Sequence, residues 1–151
     1  MSTTHQTTSP PAAAEPVAAS TQLTALRWIA TLVSALIVIM AFLAGQGFFE
    51  GQPNLITGHG HLGNGIFALV AIQIVLAFLA FQKGQIGRNH LLLNGAIMVL
   101  LFAQIGLGYA GSRNNNGAAV AWHLPNGVLL MGASTVNAVL LWVRATGANR
   151  R

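Results

Sequence analysis

The chain has 151 residues, of which 54% are hydrophobic and 6% charged. Soluble domains carry about 25% charged residues, so this composition argues against a water-soluble globule. The length allows one domain. Seven basic residues face two acidic ones, a net charge of +5, yet the basic residues are few and punctuate long apolar runs. That pattern excludes the clustered Lys/Arg surface of a nucleic-acid binder. The absence of cysteine excludes disulfides, thiolate metal sites, Fe–S clusters, a c-type haem link and a Cys nucleophile.

Residues 1–22 are rich in Ser, Thr, Ala and Pro, including Pro10, Pro11 and Pro16, and show no apolar periodicity. They read as a disordered cytoplasmic tail, without the basic start and apolar core of a signal peptide. Four uncharged intervals follow: Trp28 to Phe49, Leu62 to Gln82, Leu91 to Ser112 and Leu124 to Val143. Each is about the 20 residues that a helix needs to cross roughly 30 Å of hydrocarbon. No polar faces remain on which such helices could meet water. The expected fold is all-α: an antiparallel bundle of four transmembrane helices over 23–146, with helices at about 26–46, 60–82, 89–110 and 119–144, and a basic tail over 147–151.

The basic residues set the expected orientation. Arg27, Lys83, Arg88, Arg144, Arg150 and Arg151 fall on one side if the helices alternate, and Arg113 on the other. The positive-inside rule then puts both termini in the cytoplasm of a bacterial or archaeal cell. Trp28, Trp122 and Trp142 stand near helix ends, where indole rings favour the interface. The connection 82–89 is short, so the second and third helices are antiparallel neighbours.

Histidine is the informative polar residue. His59, His61 and His123 open helices on the outer side and His90 on the inner side, while His5 lies in the tail. Helix two opens His61-Leu62-Gly63-Asn64-Gly65 and helix four opens His123-Leu124-Pro125-Asn126-Gly127. This shared His-Leu-x-Asn-Gly pattern stands at the same end of two parallel helices. Residues three and four apart share a helix face, so each His sits beside an Asn and a Gly that leaves room for a flat macrocycle.

The chemistry that uses such a pair is bis-histidine ligation of haem iron, because neutral imidazole is a good axial ligand and bundle cores are common cofactor sites. His61 and His123 are the expected iron ligands. Asn64, Gly65, Asn126 and Gly127 lie beside them, Phe67, Leu129 and Met131 supply apolar walls, and Arg113 and the free N–H groups of the helix starts receive the propionates. Each ligating ring needs a partner for its other nitrogen, expected to be a backbone carbonyl one turn back.

His59 is two residues from His61, about 200° around a helix, so only one of the two reaches a given iron. The repeat favours His61. His59 takes its place if helix two begins earlier. His90 reads as a capping or snorkelling residue. Gln73, Gln104 and Asn137, mid-helix, are expected to form interhelical hydrogen bonds, and Gly106, Gly108 and Gly111 to allow close helix approach.

Three features carry a family resemblance: a His opening helix two before Leu62-Gly63, the stretch Gln104-Ile105-Gly106-Leu107-Gly108 in helix three, and Val120-Ala121-Trp122-His123 opening helix four. With these, His59 to Arg144 resembles one half of a haem A synthase, and is similar to a related family of small four-helix bacterial membrane proteins of unknown function. The resemblance implies that the histidines of helices two and four ligate a b-type haem. It marks His123, and its spacing to Gly63 points to His59 where the internal repeat points to His61. The family's glutamate three residues before the helix-two histidine is missing: Ile56 and Gly58 stand there, and Gly60 or Leu62 replaces the arginine that follows.

The leading expectation is therefore a small membrane protein holding haem b near the outer face. Its role would be electron transfer, or that of a cytochrome-like subunit exchanging electrons with quinol or a periplasmic redox protein. One alternative is a structural subunit of a larger respiratory or photosynthetic complex, binding a chlorophyll-type pigment or no cofactor. The other is a half-size haem-modifying enzyme acting as an oligomer, which the missing glutamate disfavours. Partners in all cases are the lipid bilayer and other membrane subunits or a second copy.

Overall fold

A computed structural model of the chain describes residues 20–148, with side chains through Val143. Four helices follow in order: α1 Thr21–Phe49, α2 Pro53–Gln82, α3 Arg88–Asn114 and α4 Gly117–Ala148. There is no strand among the described residues. All four are long and apolar enough to cross a membrane, as the uncharged intervals require. The chain is a multi-pass, all-α integral membrane bundle.

Every helix is longer than its apolar interval predicts, because an interval counts uncharged residues whereas a helix ends where capping chemistry ends it. Ser20 caps α1, its hydroxyl accepting from Leu23 N at 3.2 Å, so Thr21 and Gln22 belong to the helix rather than to a tail. Pro53 opens α2 in its first turn, where a missing N–H costs nothing. That start lies seven residues before the expected position at 60 and carries His59 inside the helix. Asn115, in the left-handed region at φ 48°, closes α3, and Asn116 Oδ1 accepts from Ala119 N at 3.1 Å to begin α4. At its other end α4 runs through residues 147 and 148, which the sequence pattern gives to the basic tail. The remainder of both expected tails, with His5, Arg150 and Arg151, lies outside the described residues.

Consecutive helices pack side by side and α4 closes the ring on α1, leaving α1/α3 and α2/α4 as the two diagonals. One end, here called the terminal end, holds the start of α1, the end of α4 and the α2–α3 connection. The opposite end holds the tight connections 50–52 and 115–116. At that second end the helix pairs approach closely. A Cβ on Gly47 of α1 would lie 3.1 Å from the backbone nitrogen of Ile56, and one on Gly111 of α3 would lie 2.7 Å from a Val120 methyl.

The interior is apolar in two blocks. Leu26, Ala30, Ala77, Ala80, Ile86, Ala138 and Leu141 fill the terminal half. Val33, Ile37, Ile66, Val70, Ile97, Leu101 and Leu130 fill the middle. Between them along the helices lies a buried polar layer. Gln73 Nε2 donates to Asn94 Oδ1 at 2.7 Å, and Asn94 Nδ2 donates to Asn137 Oδ1 at 3.2 Å and to His90 O at 2.7 Å. Thus Gln73 and Asn137 form the expected interhelical bonds, and Asn94 is the hub joining α2, α3 and α4. Interhelical bonds of this kind in membranes contribute about 0.6 kcal/mol each, up to about 1.7.

The outer surface is apolar, with Trp122 at 68%, Phe102 at 62% and Phe42 at 65% exposure, a surface that suits lipid and not water. Arg27 departs from a simple snorkelling role. It is 5% exposed, its Nε donating to Leu141 O at 2.9 Å and its guanidinium lying 5.6 Å from the Trp142 ring centre. Trp142 packs edge-on against Trp28 and donates to Thr31 Oγ1 at 3.0 Å. This polar and aromatic clip closes the α1–α4 seam.

Candidate functional site

The second polar cluster gathers at the end opposite the termini and spans the α2/α4 diagonal. His59 and His123 face each other there, with ring centroids 6.2 Å apart and planes inclined by 61°. Neither ring is wholly buried. His59 Nδ1 lies 2.9 Å from Met40 O on α1, and His123 Nδ1 lies 3.0 Å from Gln104 O on α3. A carbonyl oxygen can only accept, so both Nδ1 atoms carry the proton. In a neutral ring so held Nε2 carries the lone pair, the tautomer in which a histidine presents Nε2 to a metal, and at His123 the Gln104 carboxamide donating to Nε2 fixes that form. The carbonyl that accepts from each ring comes from the neighbouring helix, Met40 of α1 and Gln104 of α3, and not from one turn back in the histidine's own helix as the sequence suggested.

The helix-two ring that meets His123 is that of His59, the alternative that the sequence offered to His61. His61 is exposed, because two residues turn a helix by about 200° and carry it to the opposite face. The early start of α2 at Pro53 puts His59 on a formed turn. The true correspondence between the helices is a glycine four residues beyond each His: Gly63 after His59 and Gly127 after His123. Gly63 is buried, and a Cβ there would lie 3.3 Å from the Met40 methyl, so it brings α2 against the strip of α1 that supplies the His59 acceptor.

Around His123 the side chains interlock. Gln104 Nε2 donates to His123 Nε2 at 3.0 Å. Asn126 Nδ2 donates to Gln104 Oε1 at 2.6 Å and to Leu100 O at 2.9 Å. The Asn126 bond takes up the carboxamide oxygen of Gln104 and so fixes its nitrogen toward the imidazole. Two glycines make the space. A Cβ on Gly108 would meet His123 Cε1 at 3.1 Å, and one on Gly127 would meet Gln104 Nε2 at 3.0 Å. Gly106, by contrast, has open space around it. Gln104 is therefore a site residue where the sequence suggested only a packing bond. The signal available was its place one turn before Gly108, on the α3 face that meets α4.

The remaining expected residues lie further out. Asn64 and Gly65 are exposed, and the Asn64 carboxamide pairs with the Tyr109 hydroxyl at 3.4 Å. Arg113 is exposed at the end of α3, its guanidinium 4.6 Å from the centre of the Tyr109 ring. Phe67 packs edge-on to Phe102 at 5.2 Å. With Asn64 and Ile105 these two rings line a groove of about 240 Å³. Of the other apolar walls, Leu129 is exposed and Met131 packs on the middle block. His90 is buried in the terminal half, on the far side of the middle block from His59 and His123.

No group of three or more His, Cys, Asp or Glu side chains placed to hold a bare metal ion occurs among the described residues. The site has two neutral nitrogen donors and no carboxylate, a set that suits a metal already held in a macrocycle. Comparison with family models, with curated proteins and with solved structures finds no match for this chain.

Proposed function

We propose that this protein binds a b-type haem through His59 and His123 and serves as a small membrane cytochrome, in electron transfer or as a subunit of a larger complex. One observation carries the reading: two imidazoles from diagonal helices face each other at 6.2 Å between centroids, each with Nδ1 donating to a backbone carbonyl of a neighbouring helix. His59 and His123 would be the residues to hold the haem iron, since a neutral imidazole nitrogen is a good ligand for it. His61 is too far around α2 to share in this. Arg113 and the helix starts at the same end are the groups suited to the propionates.

Haem bound here supplies a one-electron couple, with a potential set by its axial ligands and surroundings. The chain's own residues orient the two rings, through the Met40 carbonyl at His59 and the Gln104 carbonyl at His123. Among the described residues Arg27, Lys83, Arg88 and Arg144 stand at the opposite end, so by the positive-inside rule the histidine pair belongs toward the outer face of the membrane, where quinol or a periplasmic redox protein would be the partner. A single haem there does not by itself carry electrons across the bilayer.

A second reading rests on a specific observation: both His123 nitrogens are already hydrogen-bonded, to Gln104 O and Gln104 Nε2. That satisfies the ring without a cofactor and suits a structural subunit of a larger complex. The oxidised and reduced visible spectra of the protein purified from haem-replete membranes separate the two. A Soret band that shifts on reduction, with the sharp bands of a low-spin iron, is expected. A colourless protein that stays colourless on adding haem establishes the structural reading instead.

A further inference from the structure

We propose that Gln104 is a displaceable clip on the haem site: in the haem-free chain its carboxamide occupies the Nε2 lone pair of His123, and it must swing aside before that nitrogen can ligate iron. The inference rests on the haem reading above. It adds a positioning residue and an order of events to that reading.

The argument is one of hydrogen-bond inventory. His123 Nε2 has one lone pair, and Gln104 Nε2 lies on it at 3.0 Å. Neither a metal nor a macrocycle can share that position. The Gln104 carboxamide is also held from behind by Asn126 at 2.6 Å. The clip is therefore a built arrangement with its own glycine clearance at Gly127, and not a side chain resting where it happened to reach. His59 Nε2, by contrast, has no such bond, since its one hydrogen bond uses Nδ1 and Met40 O. The two rings are thus unequal: Nε2 of His123 accepts a side-chain hydrogen bond and Nε2 of His59 does not.

The clip also protects what ligation requires. By donating to Nε2 it stabilises the tautomer with the proton on Nδ1, and its own backbone carbonyl accepts that proton's hydrogen bond. One residue therefore holds both ring nitrogens, one through its side chain and one through its backbone. Ligation by His123 would require the Gln104 carboxamide to leave Nε2, whereas ligation by His59 would break no hydrogen bond at its Nε2. A hydrogen bond of ordinary net strength opposes ligation by His123, which weakens loading by about 2- to 10-fold without preventing it.

Two substitutions test this with opposite signs, using the full chain in detergent. Gln104→Leu removes the competing donor but keeps the backbone carbonyl that positions His123, so titration of the haem-free protein with haem, read at the Soret band, should show affinity raised by about 2- to 10-fold. Gln104→Glu replaces the donor by an acceptor, which favours a proton on His123 Nε2, and should lower affinity below that of the unaltered chain. Nitrogen NMR of the imidazoles in the haem-free chain reads the clip directly, with His123 expected as the Nδ1–H tautomer carrying a hydrogen-bonded Nε2. Equal affinities of the unaltered chain and the Leu variant, or a His123 protonated at Nε2, overturn the clip and leave haem binding standing. Failure of all three forms to take up haem overturns the haem reading and the clip's role together.

Discussion

Two polar clusters sit in this bundle, and they are built differently. Gln73, Asn94 and Asn137 are at most 1% exposed; they are carboxamides only and bond to one another across three helices. His59, His123, Gln104 and Asn126 lie near the opposite end, none of them fully buried, and they include two imidazoles, each anchored through Nδ1 to a backbone carbonyl. A carboxamide layer sealed between apolar blocks can only hold helices in register. A half-open cluster with unprotonated nitrogens can hold helices and also bind something. Polarity inside a membrane bundle is thus not one signal but two, told apart by donor chemistry and by access.

The largest expected effect that would break this distinction is His123→Ala, which should abolish the low-spin haem spectrum while the bundle still forms; His59→Ala should do the same. Retention of an unchanged spectrum by either variant would remove the pair from the site. Asn94→Leu should act the other way round. It leaves the buried amides of Gln73 and Asn137 without partners and should cost about 1–3 kcal/mol of stability, measured by denaturant titration in micelles, with the haem spectrum kept.

Gly108→Ala sharpens the comparison. Its new methyl would stand 3.1 Å from His123 Cε1, and crowding of this kind costs about 1–3 kcal/mol, seen here as weakened haem binding more than as weakened folding. Smallest of all is His61→Ala, at an exposed position, expected to shift stability by no more than about 0.5 kcal/mol and the spectrum not at all. A lost Soret band in that variant would return the ligand role to His61.

Much of the fold is legible in the residues. The four uncharged intervals specify four spans, because hydrocarbon tolerates charge poorly and a helix needs a set length to cross it. The bonds of Gln73 and Asn137 are legible for a related reason, since polar groups at membrane depth must find one another. Helix ends are less legible. Pro53 and Ser20 act through capping, which an apolar count does not register. That miss propagates into the site, because a helix two that starts at residue 60 favours His61 whereas one that starts at Pro53 favours His59. The His-Leu-x-Asn-Gly repeat misleads for the same reason: it aligns letters, and a two-residue shift in letters is nearly half a turn in space.

By itself the sequence determined that this chain lives in a bilayer, how many times it crosses, and that histidines gather at the helix ends. Local physics suffices for these, since transfer of charge and apolar surface between water and lipid acts residue by residue. Only the tertiary structure decided which histidines meet, that Gln104 stands on Nε2 of one of them, and that Asn94 joins three helices. Those facts depend on the rotation of each helix about its axis and on which pairs lie on the diagonal, and both are set by side-chain packing between segments far apart in the chain.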